Sequence, residues 1–125
     1  MNILWMFSIA LGGALGSISR FGISSLLNQN HPWGTLSANV MGSLILGGLF
    51  ATTKQGMLSS ESPFYAFLAI GFCGAFTTFS TFSLEVFQIL GDGKWLSAFG
   101  HIIANFTLSF GAIYAGYFFL MSFFK

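Results

Sequence analysis

Charge is what this sequence has least of. Lys and Arg number four and Asp and Glu three in 125 residues, 6% of the chain, where a soluble domain carries about 25%. So few charges cannot cover a water-exposed surface, which excludes an ordinary soluble enzyme and a disordered tail. A net charge of +1 supplies no basic patch, so nucleic acid is excluded as an electrostatic partner. The single cysteine, Cys73, cannot form a disulfide within the chain, which removes a small secreted scaffold. Catalytic groups are equally thin. Two His, one Cys, one Asp and two Glu lie on separate segments, with no metal-ligand spacing, nucleophile–base pair or phosphate loop. The chemistry left open is transport.

Apolar residues make up 54% of the chain and the mean hydropathy is +0.80. A span needs about 20 apolar residues, so the length accommodates four. The pattern predicts an all-α membrane protein with spans at about 3–27, 33–52, 64–90 and 95–122. The N-terminal stretch lacks a basic region and is too long for a signal peptide, so it is expected to stay as a span. In the first span, Gly12-x-x-x-Gly16 forms a flat stripe where another helix can approach closely. Pro63 suits the first turn of the third helix, where its missing N–H costs little. Trp5, Trp33 and Trp95 fall near helix ends, as an interfacial belt requires. Four helices enclose a polar pathway poorly, so an oligomer is expected. With the N-terminus in the cytoplasm, Lys54 and Lys125 would oppose Lys94 and Arg20. That balance gives no positive-inside bias and leaves both single and dual insertion open.

The third span is internally odd. Gly71 and Gly74 precede Thr77-Thr78-Phe79-Ser80-Thr81-Phe82-Ser83, a poor sequence for continuous helix. A break near 74–78 is predicted. Backbone groups freed inside a bilayer persist only where protein, water or an ion satisfies them. Carbonyls ending the first half-helix would suit a small hard cation, and N–H groups starting the second would favour an anion. Phe79 and Phe82 stand three apart and share a helix face, and their ring edges carry partial positive charge. Ser80, Thr81 and Ser83 add hydroxyls. A Ser/Thr-rich packing surface would carry the same residues.

Asn39 is mid-membrane in the second span, as helix glue or as part of a wet cavity. His101, Asn105 and Ser109 follow at i, i+4, i+8 on the fourth, one polar stripe that is either an ion path or a hydrogen-bonded seam. Arg20 either snorkels or draws anions to a vestibule. Glu85 could cap, pair or contact water near a mouth.

These residues resemble the Fluc/CrcB family of fluoride channels over nearly the whole chain. The resemblance rests on Gly12-Gly13-Ala14-Leu15-Gly16 with Arg20, on Gly34-Thr35-Leu36 with Asn39 and Gly42, and above all on the run Gly71 to Ser83 with Glu85. It implies an antiparallel, dual-topology homodimer in a bacterial inner membrane, with two fluoride pores and a central structural Na⁺ bound by backbone carbonyls. Carried over, Gly74 and Thr77 would supply those carbonyls. Asn39, Phe79, Phe82, Ser80 and Thr81 would line the pore, His101, Asn105 and Ser109 would form the fourth-helix track, and Arg20 would lie toward the vestibule. A Tyr is common near His101 in the family and a Ser near Asn105, so this chain departs from the pattern there. Two other functions fit the size and composition: a small proton-coupled drug exporter, which would need a deep carboxylate, and a non-transporting membrane assembly subunit.

Overall fold

A computed structural model describes residues 2–124. Lys125, used in the charge balance above, lies outside the described residues. Four segments are long and apolar enough to cross a membrane. Helix α1 (Ile3–Leu27) begins at Asn2, whose side chain accepts the Trp5 N–H, and α2 is Trp33–Lys54. The second helix runs two residues beyond its predicted end at 52, which puts Lys54 in the last turn, where a cation opposes the negative end of the helix dipole.

The third crossing, Pro63–Gly91, is compound. Its first part, residues 63–76 (α3), opens with Pro63 in the first turn and Ser62 capping the Tyr65 N–H. It then widens into a π-helix over Ala66–Cys73 and closes with a short α-turn, Gly74–Phe76. Thr77 (φ −82°, ψ 156°) and Thr78 (φ −154°, ψ 125°) are extended. Helix α4 (Phe79–Gly91) resumes after them, and α5 (Trp95–Met121) ends in a 3₁₀ turn, Ser122–Phe124. The break thus lies within the predicted 74–78, at its C-terminal end.

Packing is inverted relative to a soluble protein. The buried apolar positions are mostly small: Ala38, Ala51, Ala66, Ala69, Ala98 and Ala112 are all interior. Large side chains such as Phe7, Phe21, Phe87 and Leu96 point outward. In lipid there is no hydrophobic gain from hiding Phe or Leu, so helices associate through small residues that let backbones approach. The Gly12–Gly16 stripe of α1 does this against α3. A Cβ at Gly12 would come within 2.1 Å of the Phe67 carbonyl oxygen, and one at Gly16 within 2.3 Å of that of Phe72. Helices α2 and α5 meet in the same way through Gly47 and Gly116. Trp33 and Trp95 are exposed at helix starts, while Trp5 donates its indole N–H to the Glu61 carbonyl at 2.8 Å.

Candidate functional site

The break between α3 and α4 organises the polar residues. In an unbroken helix the Thr78 N–H would bond to the Gly74 carbonyl and the Thr81 N–H to that of Thr77. Here the Thr78 N–H donates to Asn39 Oδ1 at 2.8 Å, and the Thr81 N–H to Thr78 Oγ1 at 3.1 Å. Both carbonyls therefore lose their helical donors. Asn39 Nδ2 also donates back to the Thr78 carbonyl at 3.2 Å. The side chain of α2 thus pairs with the extended backbone of Thr78 as a neighbouring strand would. This satisfies two peptide groups that lipid could not.

A cavity of about 260 Å³ opens beside the break. Asn39 from α2, Thr77 and Thr78 from the break, and Phe79 from the start of α4 form one side. Asn105, Ser109, Phe106 and Phe110 of α5 form the other. Its lining contains hydroxyls, amides and aromatic rings and no charged side chain. The N-terminus of α4, with the positive end of its dipole, faces this space.

Five of the sequence-predicted site residues meet here: Asn39, Thr77, Phe79, Asn105 and Ser109. Phe82 stands one turn deeper and is buried, with its ring centroid 5.6 Å from Phe79 and 5.3 Å from His101. Phe79, by contrast, is 70% exposed. Thr81 Oγ1 accepts from Thr78 Oγ1 at 3.1 Å, and Ser80 Oγ lies 3.4 Å from the same hydroxyl. Gly74 is exposed on α3. Arg20 is half-buried on α1 and does not line this cavity. Among the described residues no carboxylate lies within ion-pair distance of it.

His101 and Asn105 continue a chain of hydrogen bonds away from the break. Asn39 Nδ2 donates to Asn105 Oδ1 at 3.0 Å. Asn105 Nδ2 donates to the His101 carbonyl at 3.0 Å and lies 3.3 Å from His101 Nδ1. His101 Nε2 is 3.2 Å from Glu85 Oε2. Thr35 Oγ1 and, at 3.4 Å, Asn28 Nδ2 both donate to Glu85 Oε1. Glu85, for which the sequence left several roles open, is a pairing residue.

The carboxylate also borders a second cavity, of about 320 Å³, lined by residues of the 28–32 turn, by α4 and by Asp92 and Lys94. His31 projects from that turn with its ring edge-on to His101, centroids 5.5 Å apart. Burial and the adjacent His101 hold its imidazole below the ordinary 6.5, with Glu85 pulling the other way. Thr35, Thr78, Asn28 and His31 were given no individual role by the sequence, although Thr35 and Thr78 lie within the motifs quoted above. Thr78 had a signal, a hydroxyl three residues before Thr81 at a helix start. The pairing of Asn28 and Thr35 with Glu85 had none, because the partners are 57 and 50 residues apart in the chain.

Comparison with known proteins adds the family. The model of the family described as "CrcB-like protein, Camphor Resistance (CrcB)" matches residues 7–117. A protein of Nitrobacter winogradskyi named "Fluoride-specific ion channel FluC" is 43% identical over 120 residues, covering 93% of this chain and 94% of its own. Proteins of the same name from Opitutus terrae (43% over 115 residues, 87% and 86% covered) and Thermococcus kodakarensis (42% over 119 residues, 94% and 96%) are similarly close. With the break, the polar lining and most of all four spans falling inside the matched stretch, the chain belongs to the CrcB-like family.

Proposed function

We propose that this chain is a passive, fluoride-selective channel of a cell membrane. It works as an antiparallel homodimer with two pores and lets fluoride leave the cytoplasm. The observation that carries this reading is the charge-free cavity at the break, where a helix N-terminus, two amides, hydroxyls and aromatic rings converge. Fluoride is small and strongly hydrated, so its path must replace water with close donors. A fixed cation would hold it too tightly to conduct. Neutral donors and ring edges meet both demands. The names carried by relatives at about 42% identity over nearly their full length support the same anion.

Passive export follows from acid–base chemistry. Hydrogen fluoride crosses a bilayer uncharged and ionises in a more alkaline cytoplasm, so the trapped anion leaves down its own gradient. No enzymatic step is required. The drug-exporter alternative needs a carboxylate free to exchange protons for substrate, whereas Glu85 is tied to Thr35, Asn28 and His101.

Two antiparallel copies would bring two breaks together at the dimer centre. The carbonyls of Gly74 and Thr77, without their helical donors, are hard oxygen ligands of the kind a structural Na⁺ takes. The residues fit that ion, and its role would be to hold the two breaks together. Arg20 would serve at the vestibule.

The test is flux from liposomes holding purified protein. Fluoride is expected to leave at least roughly tenfold faster than chloride, a barrier difference of about 1.4 kcal/mol. Phe79→Ile and Phe82→Ile are expected to cut fluoride flux by a similar factor. Equal, negligible flux of both anions would overturn the channel reading and favour an assembly subunit.

A further inference from the structure

The cavity at the break is lined with hydrogen-bond donors, and most of them are already in use. Thr77 Oγ1 donates to the Cys73 carbonyl at 2.9 Å and Thr78 Oγ1 to Thr81 Oγ1 at 3.1 Å. Asn39 Nδ2 donates to the Thr78 carbonyl at 3.2 Å and to Asn105 Oδ1 at 3.0 Å, which engages both of its hydrogens. Backbone at either end fixes how the two amides face. The Thr78 N–H can only donate, so Asn39 turns Oδ1 toward it. The His101 carbonyl can only accept, so Asn105 turns Nδ2 toward it. Asn39 Nδ2 and Asn105 Oδ1 are therefore left facing each other, whatever the state of the imidazole.

An anion that reaches Asn39 must take a hydrogen from the oxygen that holds it. The two oxygens are not equal. Drawing Nδ2 from the Thr78 carbonyl would open the peptide pairing that supports the break. Drawing it from Asn105 Oδ1 strips no backbone group, because that oxygen belongs to a side chain beside a cavity of about 260 Å³ into which it can turn. We propose that Asn105 is a resident competitor for fluoride: its Oδ1 holds the place at Asn39 Nδ2 that the ion takes on entering, and returns to it when the ion moves on. Asn105 thereby sets how tightly the pathway holds fluoride. The idea rests on the channel reading above and adds a determinant of affinity to it.

Such a competitor answers a difficulty of conduction. An ion must be bound well enough to shed its water and weakly enough to leave. An amide N–H without an acceptor is costly in an apolar surround, so a bare Asn39 would grip the anion and release it slowly. With Asn105 in reach, the N–H passes from fluoride to Oδ1 and is never unpaired. Asn105 is placed for this part. It stands on α5, across the cavity from Asn39 on α2, and it is buried, so its oxygen rather than bulk water meets the amide.

The experiment measures initial fluoride efflux from liposomes against the fluoride concentration inside, with protein-free liposomes subtracted for hydrogen fluoride leakage. Asn105→Ser shortens the side chain by about 1.2 Å, the length of a C=O bond. That takes the 3.0 Å contact with Asn39 out of hydrogen-bond range, while the His101 carbonyl keeps its helical N–H. One amide pair corresponds to about fivefold in a binding constant, so N105S is expected to half-saturate at about one-fifth of the wild-type fluoride concentration. Its maximal flux should not rise, because release is slower. Thr107→Ala, exposed on the same helix and bonded to its own turn at Ile103, should keep the wild-type value.

An unchanged or higher half-saturating concentration in N105S overturns the proposal, as does an equal fall in T107A. Should N105S not assemble, solid-state NMR of the wild-type protein labelled at asparagine decides. A contact between Asn39 Nδ2 and Asn105 Cγ that is present without fluoride, and is lost as a ¹⁹F contact to Asn39 Nδ2 appears, supports it. A contact that persists in saturating fluoride, or ¹⁹F bound away from Asn39, overturns it. Absence of wild-type fluoride flux would instead refute the channel reading, and the competitor would fall with it.

Discussion

The side-chain amide of Asn39 bonds to the N–H and C=O of Thr78 and to the Oδ1 of Asn105, joining three helices at one point. Asn39→Ala removes all three bonds. It leaves the Thr78 N–H buried without a partner, a cost of about 1–3 kcal/mol for that group alone. The variant is expected to melt at lower temperature in detergent and to lose most fluoride flux. Unchanged melting would show that water replaces the amide. The sequence marked Asn39, Asn105 and His101 as polar positions inside spans, but not as each other's partners. Partnership depends on how each helix is rotated about its axis, and side chains 66 residues apart in the chain carry no local sign of it. Of the stripe His101, Asn105 and Ser109, the last two line the cavity, while Asn105 and His101 also take part in a hydrogen-bonded seam with Asn39 and Glu85. Phe79 and Phe82 share a helix face as their spacing predicts. Their very different exposure, 70% against 5%, comes from α5 covering one and not the other.

At the scale of elements, glycine separates two kinds of helix surface. Ala is the better helix former by about 1 kcal/mol, so a Gly→Ala change in an open site should be neutral or stabilising. At Gly22 an added Cβ meets nothing within 4 Å, and Gly22→Ala is expected to leave melting and flux unchanged or slightly improved. At Gly12 the same atom would lie 2.1 Å from backbone, which cannot move without separating α1 from α3. Gly12→Ala is therefore expected to lower the melting temperature clearly despite its better propensity. Equal behaviour of the two variants in a thermal scan would refute this packing.

The stripe was legible because glycine spacing alone defines it, and so was the break, announced by Gly74 and the hydroxylated run after it. The π-helical stretch was not. Nothing in Ala66–Cys73 distinguishes a ladder to the fifth residue from one to the fourth. Within those wider turns Gly71 packs against α1, where an added Cβ would lie 2.7 Å from the Ile9 carbonyl oxygen.

For the molecule as a whole, charge decides orientation. Lys54 closes α2 and Lys94 precedes α5, so they lie at opposite ends of the bundle. An antiparallel dimer needs both orientations from one sequence. Ser59→Lys with Ser60→Lys, and separately Gly91→Lys with Asp92→Lys, add exposed charge to opposite ends. Each pair is expected to fix one orientation and abolish flux when expressed alone. Together they should restore it. Flux from either alone would show that antiparallel pairing is unnecessary.

The compound third crossing has a consequence for how such a chain can change in length. It spends 29 residues where α2 spends 22, about 43 Å against about 33 Å if both were straight α-helix at 1.5 Å per residue. The bilayer core is about 30 Å thick, so the π-helical turns and the break take up the surplus. Measured as length, this crossing could lose a residue and still reach both surfaces. Measured as register it could not. One deletion before Gly71 would rotate everything after it by about 100°, swinging the glycine off α1 and the break off Asn39. Insertions and deletions should therefore collect in the turns 28–32 and 55–62, while the third crossing, seven residues longer than α2, keeps a fixed count.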